Sequence, residues 1–217
     1  GNVGNRNMEF GNGVFLPVAG LIVSVEITNQ KQEAGLAGHI ELPQLNQKWV
    51  EVTGKLSNKG AEFTGLFTSN LNLLAGSLFH TTVPLVDINI TASTWEGVRL
   101  EGDMSLPFGI GNVDARGYMT GLKDTRGLPE ILMVADFSSD PEFKIEGFSY
   151  PTAGLNLFVS TAKGVSFDGQ IKFTDHIGFA NMSGEIVKDV ISISGSIKKD
   201  IKLPAQTMKF LSRVKVG

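Results

Sequence analysis

Three carboxylates crowd into Asp136-Phe137-Ser138-Ser139-Asp140-Pro141-Glu142. Hard oxygen donors in a loop are what calcium takes, so Asp136, Asp140 and Glu142 are the metal candidates. The spacing is not that of an EF-hand, and Asp, Ser and Pro also build plain turns. His39, His80 and His176 belong to no spaced motif, and no His-x-x-x-His pair exists to hold a metal. Gly-x-Ser-x-Gly and the phosphate-binding Gly-x-x-x-x-Gly-Lys-Ser/Thr loop are absent. Gly109-Ile110-Gly111 lacks the third glycine of a dinucleotide fingerprint and follows a hairpin instead of opening a helix. No catalytic residues and no cofactor are expected. The sparse large amphipathic aromatics are Trp49, Trp95, Tyr118 and Tyr150. Trp49, beside Val50 and Val52, reads as core. Trp95 falls in a turn with few core contacts, and with Tyr118 it is the candidate binding contact.

What must position these residues is a repeated β-hairpin. Ile88–Met119 lies on Leu155–Ile186, 67 places further on, without a gap and with nine identical pairs. They include Ser93/Ser160, Thr94/Thr161, Gly97/Gly164 and Gly102/Gly169. Ile88, Ile90 and Ala92, then Val98, Leu100, Met104 and Leu106, alternate with polar residues, the period of strands with one buried face. Gly97 and Gly164 end turns that need φ > 0. Gly102 and Gly169 lie mid-strand, where glycine marks a bulge or a close backbone approach. A shorter copy, Lys59–Gly65, follows Ser57-Asn58, and its loop is expected to differ by one residue.

The fold class read from this is all-β: antiparallel hairpin-connected sheets, either a sandwich or a rolled, barrel-like sheet, with an internally duplicated hairpin unit. Val14–Ile27 is expected to be two strands broken at Gly20, and Gln30–Ala34 is the best helical turn. Leu71–Phe79 is strand or short helix, closed by Pro84. Gly121–Arg126 is a polar turn, and Pro151 closes the strand at 143–148. Residues 1–13, rich in Gly and Asn, form a flexible N-terminal arm. Residues 14–217 form one domain, with a subdivision near 121–129 as the alternative.

Composition narrows the function classes. A hydrophobic share of 41% in 217 residues is that of a folded domain. A net charge of −3 offers no basic footprint for nucleic acid. The absence of cysteine excludes disulfides and thiolate chemistry. No signal peptide is read in this chain, and an extracellular or cell-surface setting is favoured. Fourteen phenylalanines against two tyrosines place aromatic area in packing or apolar contact.

The functional expectation is a non-catalytic structural, assembly or cell-surface module acting through protein–protein contacts, with a protein partner or a homo-oligomer. One alternative is a membrane- or lipid-interacting β protein, such as a toxin or pore component, presenting Phe63, Phe67, Phe108, Phe167 and Phe173 to lipid. Another is a carbohydrate-binding module. Membrane and glycan are thus the further partner classes, and nucleic acid is not one.

Overall fold

The computed structural model describes residues 2–3, 6–27, 32–74, 80–106, 111–124, 126–137, 140–145, 148–174, 178–187, 190–196 and 214–216. Among them there is no helix. Sixteen strands follow one another: β1 (Asn2–Val3), β2 (Arg6–Phe10), β3 (Val14–Ile27), β4 (Gln32–Glu41), β5 (Trp49–Ser57), β6 (Gly60–Leu74), β7 (His80–Ser93) and β8 (Gly97–Leu106). Then come β9 (Gly111–Lys123), β10 (Pro129–Asp136), β11 (Glu142–Ile145), β12 (Phe148–Ser160), β13 (Gly164–Thr174), β14 (Gly178–Val187), β15 (Val190–Ser196) and β16 (Val214–Val216). From β3 to β10 each strand pairs antiparallel with the next, and β10 pairs with β12, which continues through β13 and β14 to β15. The result is one hairpin-connected sheet that curls without closing into a barrel.

The curl follows from the period-two pattern. Val50 and Val52, then Phe63 and Phe67, Ile88 and Ile90, Val98 and Leu100, Ile131 and Met133, Leu157 and Val159, and Val165 and Phe167 all turn to one face and are buried. They form one core. The ends of the chain's first half then meet across it. Gln44, on the β4–β5 connection, donates its Nε2–H to the Pro129 carbonyl at the start of β10. Asn12 Nδ2–H, in the β2–β3 turn, donates to the Glu96 carbonyl in the β7–β8 turn at 3.3 Å.

Several expectations are corrected. Val14–Ile27 is one strand, β3, and Gly20 marks a register shift against β4 between Ala19 and Ile22 instead of a break. Of the expected helical turn at Gln30–Ala34, Gln32–Ala34 are strand in β4, and residues 30–31 lie outside the described residues. Leu71–Leu74 continue β6 as strand, while 75–79 lie outside the described residues. Pro84 and Pro151 lie within β7 and β12, paired with Asn70 and Glu142, instead of ending strands. The 121–126 turn is shorter than expected because β9 runs on to Lys123.

The segment expected to be an arm contains two strands. β2 pairs with β3 from Arg6↔Val18 to Phe10↔Val14, and Phe10 is fully buried, its ring edge-on to Phe63 at 6.1 Å. Trp49 is not core: it alternates outward with Glu51 and is 36% exposed. Phe63, Phe67 and Phe167 face the core. Phe108 lies outside the described residues, as does the side chain of Phe173.

The two long hairpins are built alike. Gly97 sits at φ +95° and Gly164 at φ +87°. The Ser93 hydroxyl oxygen accepts from the Trp95 and Glu96 amides at 3.2 and 3.0 Å. That of Ser160 accepts from Ala162 and Lys163 at 3.1 and 3.0 Å. Thr94 donates its amide to the Ala61 carbonyl, and its Oγ1 accepts from the Ala61 amide. Thr161 does the same to Ile131, at 3.0 Å both ways. Each threonine therefore fastens its turn to the first rung of a neighbouring strand. Mid-strand, a Cβ on Gly102 would lie 2.9 Å from Ile88 Cα, and one on Gly169 2.9 Å from Leu155 Cα. Both glycines permit a close backbone approach at a bulge. The Ser57–Gly60 turn is one residue shorter than these, as expected.

Candidate interaction face

Burial of one face leaves the other to solvent, and cross-strand register decides which outward side chains become neighbours. On β10, Ile131, Met133 and Ala135 point inward, so Leu132 and Val134 point outward. Tyr118 of β9 is directly opposite Leu132, and Phe158 of β12 is directly opposite Val134. Opposed side chains have Cβ atoms about 4.5–5.5 Å apart. Tyr118, Leu132, Val134 and Phe158 therefore form one contiguous apolar patch across three strands. Tyr118 is 49% exposed, the other three are half-buried, and Leu122 further along β9 is exposed.

Charge frames the patch. Arg99, opposite Tyr118, pairs with Glu96 at 3.3 Å. Arg116, opposite Val134 and Glu101, pairs with Asp136 at 2.8 Å. One rung beyond, Asp136 faces Asp114, which faces Asp103 on β8. Asp87 on β7 adds its repulsion to Asp103 and accepts from Thr68 Oγ1–H at 3.4 Å. Asp87, Asp103 and Asp114 form no ion pair among the described residues. The hydrogen bond between the Asp103 and Asp114 carboxyls, then desolvation and the charges of Asp114 and Asp87, hold Asp103 above the usual carboxylate value.

Of the sequence candidates, Tyr118 lies in the apolar patch and Asp136 in the acidic row beside it. Trp95 is half-buried where turns converge: its backbone lies about 3.1 Å from the position of a Gly11 Cβ, and its ring 3.4 Å from that of Gly60. It is part of the scaffold, contrary to a turn tip with few contacts. Asp136, Asp140 and Glu142 each have a separate protein partner: Arg116, the Gly154 amide at 2.9 Å, and the Ser149 hydroxyl at 2.7 Å. No group of three His, Asp or Glu that could hold a metal occurs among the described residues. His39 is exposed on β4, His80 begins β7, and His176 lies outside the described residues.

Leu132, Val134 and Phe158 escaped the sequence reading. The signal was present in Ile131–Ala135: a strand apolar on both parities has an apolar outer face unless something covers it. Comparison with protein-family models, with curated proteins and with solved structures finds no match.

Proposed function

We propose that this chain is a non-catalytic structural or assembly module that works through protein–protein contacts. The observation that supports the reading is where its buried polar side chains go. Seven are buried among the described residues: Gln44, Ser93, Asp124, Glu130, Thr152, Ser160 and Thr161. Gln44 ties the β4–β5 connection to β10, Ser93 and Ser160 cap their own turns, and Thr161 fastens β10. Asp124 accepts from the Arg126 and Leu128 amides and from the Arg126 guanidinium, holding the β9–β10 turn. Glu130 accepts from Ser160 and Thr120, and Thr152 donates to the Pro141 carbonyl.

A catalytic centre keeps at least one such group poised toward substrate. Here six of the seven bond backbone and Glu130 bonds the Ser160 and Thr120 hydroxyls, while Gln44 Oε1 is a buried atom without a partner among the described residues; the outward surfaces remain as the means of action. Of the five phenylalanines named for the lipid reading, Phe63, Phe67 and Phe167 pack inward.

The test places the full chain with phosphatidylcholine/phosphatidylserine vesicles, on a glycan array, and in sedimentation velocity alone and with protein baits. The expected result is assembly with protein, read as a mass above the 23.3 kDa monomer, and retention by neither vesicles nor glycans. Retention on vesicles or glycans, with no protein complex, overturns the proposal.

A further inference from the structure

We infer that the outer face of β8, β9, β10 and β12 docks a basic polypeptide segment, which seats an apolar side chain on the Tyr118–Leu132–Val134–Phe158 patch. This rests on the assembly reading and names the surface and the chemistry of its occupant. The patch is contiguous through the register Tyr118↔Leu132 and Val134↔Phe158. An aromatic at its exposed edge supplies large contact area at little cost in side-chain entropy, the usual character of an interface anchor.

The charge around the patch selects the occupant. On this face and its margin stand Asp87, Glu96, Glu101, Asp103, Asp114 and Asp136, against Arg99 and Arg116. Both arginines are already held by Glu96 and Asp136. A second copy docking face to face would set acid against acid, so the surface discriminates against itself.

Like charges directly opposite across a ladder destabilise a sheet, and Asp103↔Asp114 is such a pair. A lysine or arginine laid over it converts that liability into attraction. Val134 and Asp136 are two residues apart on β10, about 7 Å along the strand. Asp114 and Tyr118, four apart on β9, are about 13 Å apart. An extended segment that carries basic and apolar side chains two and four residues apart on one face matches these intervals.

Docking is therefore salt-sensitive, and it weakens in acid as Asp103 takes up a proton. The groups that bear on that titration are Asp87 of β7, Glu101 of β8, Asp114 and Arg116 of β9, and Asp136 of β10. Asp103 already holds its proton more tightly than usual, chiefly through its hydrogen bond with Asp114.

The experiment uses the full chain and three short labelled peptides with serine at every second position and Lys/Leu, Lys/Ser or Glu/Leu taking turns at the positions between, so that both side chains share one face, with binding read by fluorescence anisotropy. The Lys/Leu peptide is expected to bind best and to weaken with added salt and at low pH. Tyr118→Ser, and separately Asp103→Asn with Asp114→Asn, should each weaken it about tenfold or more, with an unchanged far-UV spectrum. Equal binding of Glu/Leu, indifference to both variants, or a wild-type dimer that Tyr118→Ser dissolves would overturn the inference. Protein complexes that persist when Tyr118→Ser has abolished Lys/Leu binding leave assembly standing and remove only this face as its site. The absence of any complex removes both.

Discussion

Replacing Phe10 with alanine tests the closure of the curl at its N-terminal end. Phe10 is the last residue of β2, fully buried, and edge-on to Phe63 at 6.1 Å. The turn that follows it touches the β7–β8 turn and β9. Asn12 donates to the Glu96 carbonyl, and a Cβ on Gly121 would meet the Asn12 carbonyl oxygen at 2.7 Å. Truncating a buried Phe to Ala costs about 3–5 kcal/mol, from lost transfer energy plus the cavity left behind. The aromatic pair supplies about 0.5–1.5 kcal/mol of that. Against a total stability of about 5–15 kcal/mol, the loss is large enough to move the whole transition. Equilibrium urea unfolding of wild type, Phe10→Ala, Phe63→Leu and the double variant measures it, with the double-mutant cycle isolating the ring–ring part. A Phe10→Ala shift below about 1 kcal/mol would place the β2–β3 turn off the core and refute this account of the closure.

Thr161→Val removes the hydroxyl that accepts from the Ile131 amide. With that buried N–H left unpaired, a loss of about 1–3 kcal/mol in the same urea assay is expected. Gly97→Val forces a β-branched residue to φ +95°, and a strain of about 1–3 kcal/mol should appear as a lower melting temperature. Asp114→Asn should stabilise the chain at neutral pH. Because Asp103 titrates above its ordinary 3.8 in the folded chain, the native state holds a proton there that the unfolded chain has released. Stability therefore falls as pH rises through that window, and melting temperatures across a pH series should show a shallower fall in the variant.

Much of the architecture was legible because strand period and turn chemistry are local. The alternation in Ile88–Ala92 and Val98–Leu106 needed only neighbours in sequence, and Gly97 and Gly164 needed only a backbone sign. The misreadings have a common cause in long-range pairing. Pro84 and Pro151 read as terminators because proline lacks an N–H, yet a strand tolerates it where no partner asks for that donor. Residues 1–13 read as an arm because they are rich in Gly and Asn, but β3 supplies a ladder to residues 6–10 and Phe63 a partner for Phe10. Trp49 read as core from its apolar neighbours. In a strand, however, the immediate neighbours of an outward residue are the inward ones, so Val50 argues for exposure of Trp49 as much as for burial.

The face itself was less legible, for a reason that register makes concrete. Tyr118, Leu132 and Phe158 stand 14 and 26 residues apart in the chain, and nothing short of the pairings Tyr118↔Leu132 and Val134↔Phe158 makes them neighbours. The acidic row has the same character: Asp87, Asp103, Asp114 and Asp136 look unrelated in sequence. Only successive hairpins of suitable length bring them to one level. A one-residue slip of β9 against β10 would turn Tyr118 into the core and bury Asp114. The bulge between Val86 and Asn89 on β7, beside Gly102, is what sets the level of Asp87 against Asp103. Gly102→Ala is thus more than a stability probe. It forces β7 and β8 apart where the acidic row begins, so it should weaken the Lys/Leu peptide along with the fold. Gly169→Ala, the same insult between β12 and β13, should lower stability while leaving the acidic row intact. If both variants unfold to the same extent but bind the peptide alike, the row takes no part in docking and the face must be reassigned to its apolar residues alone.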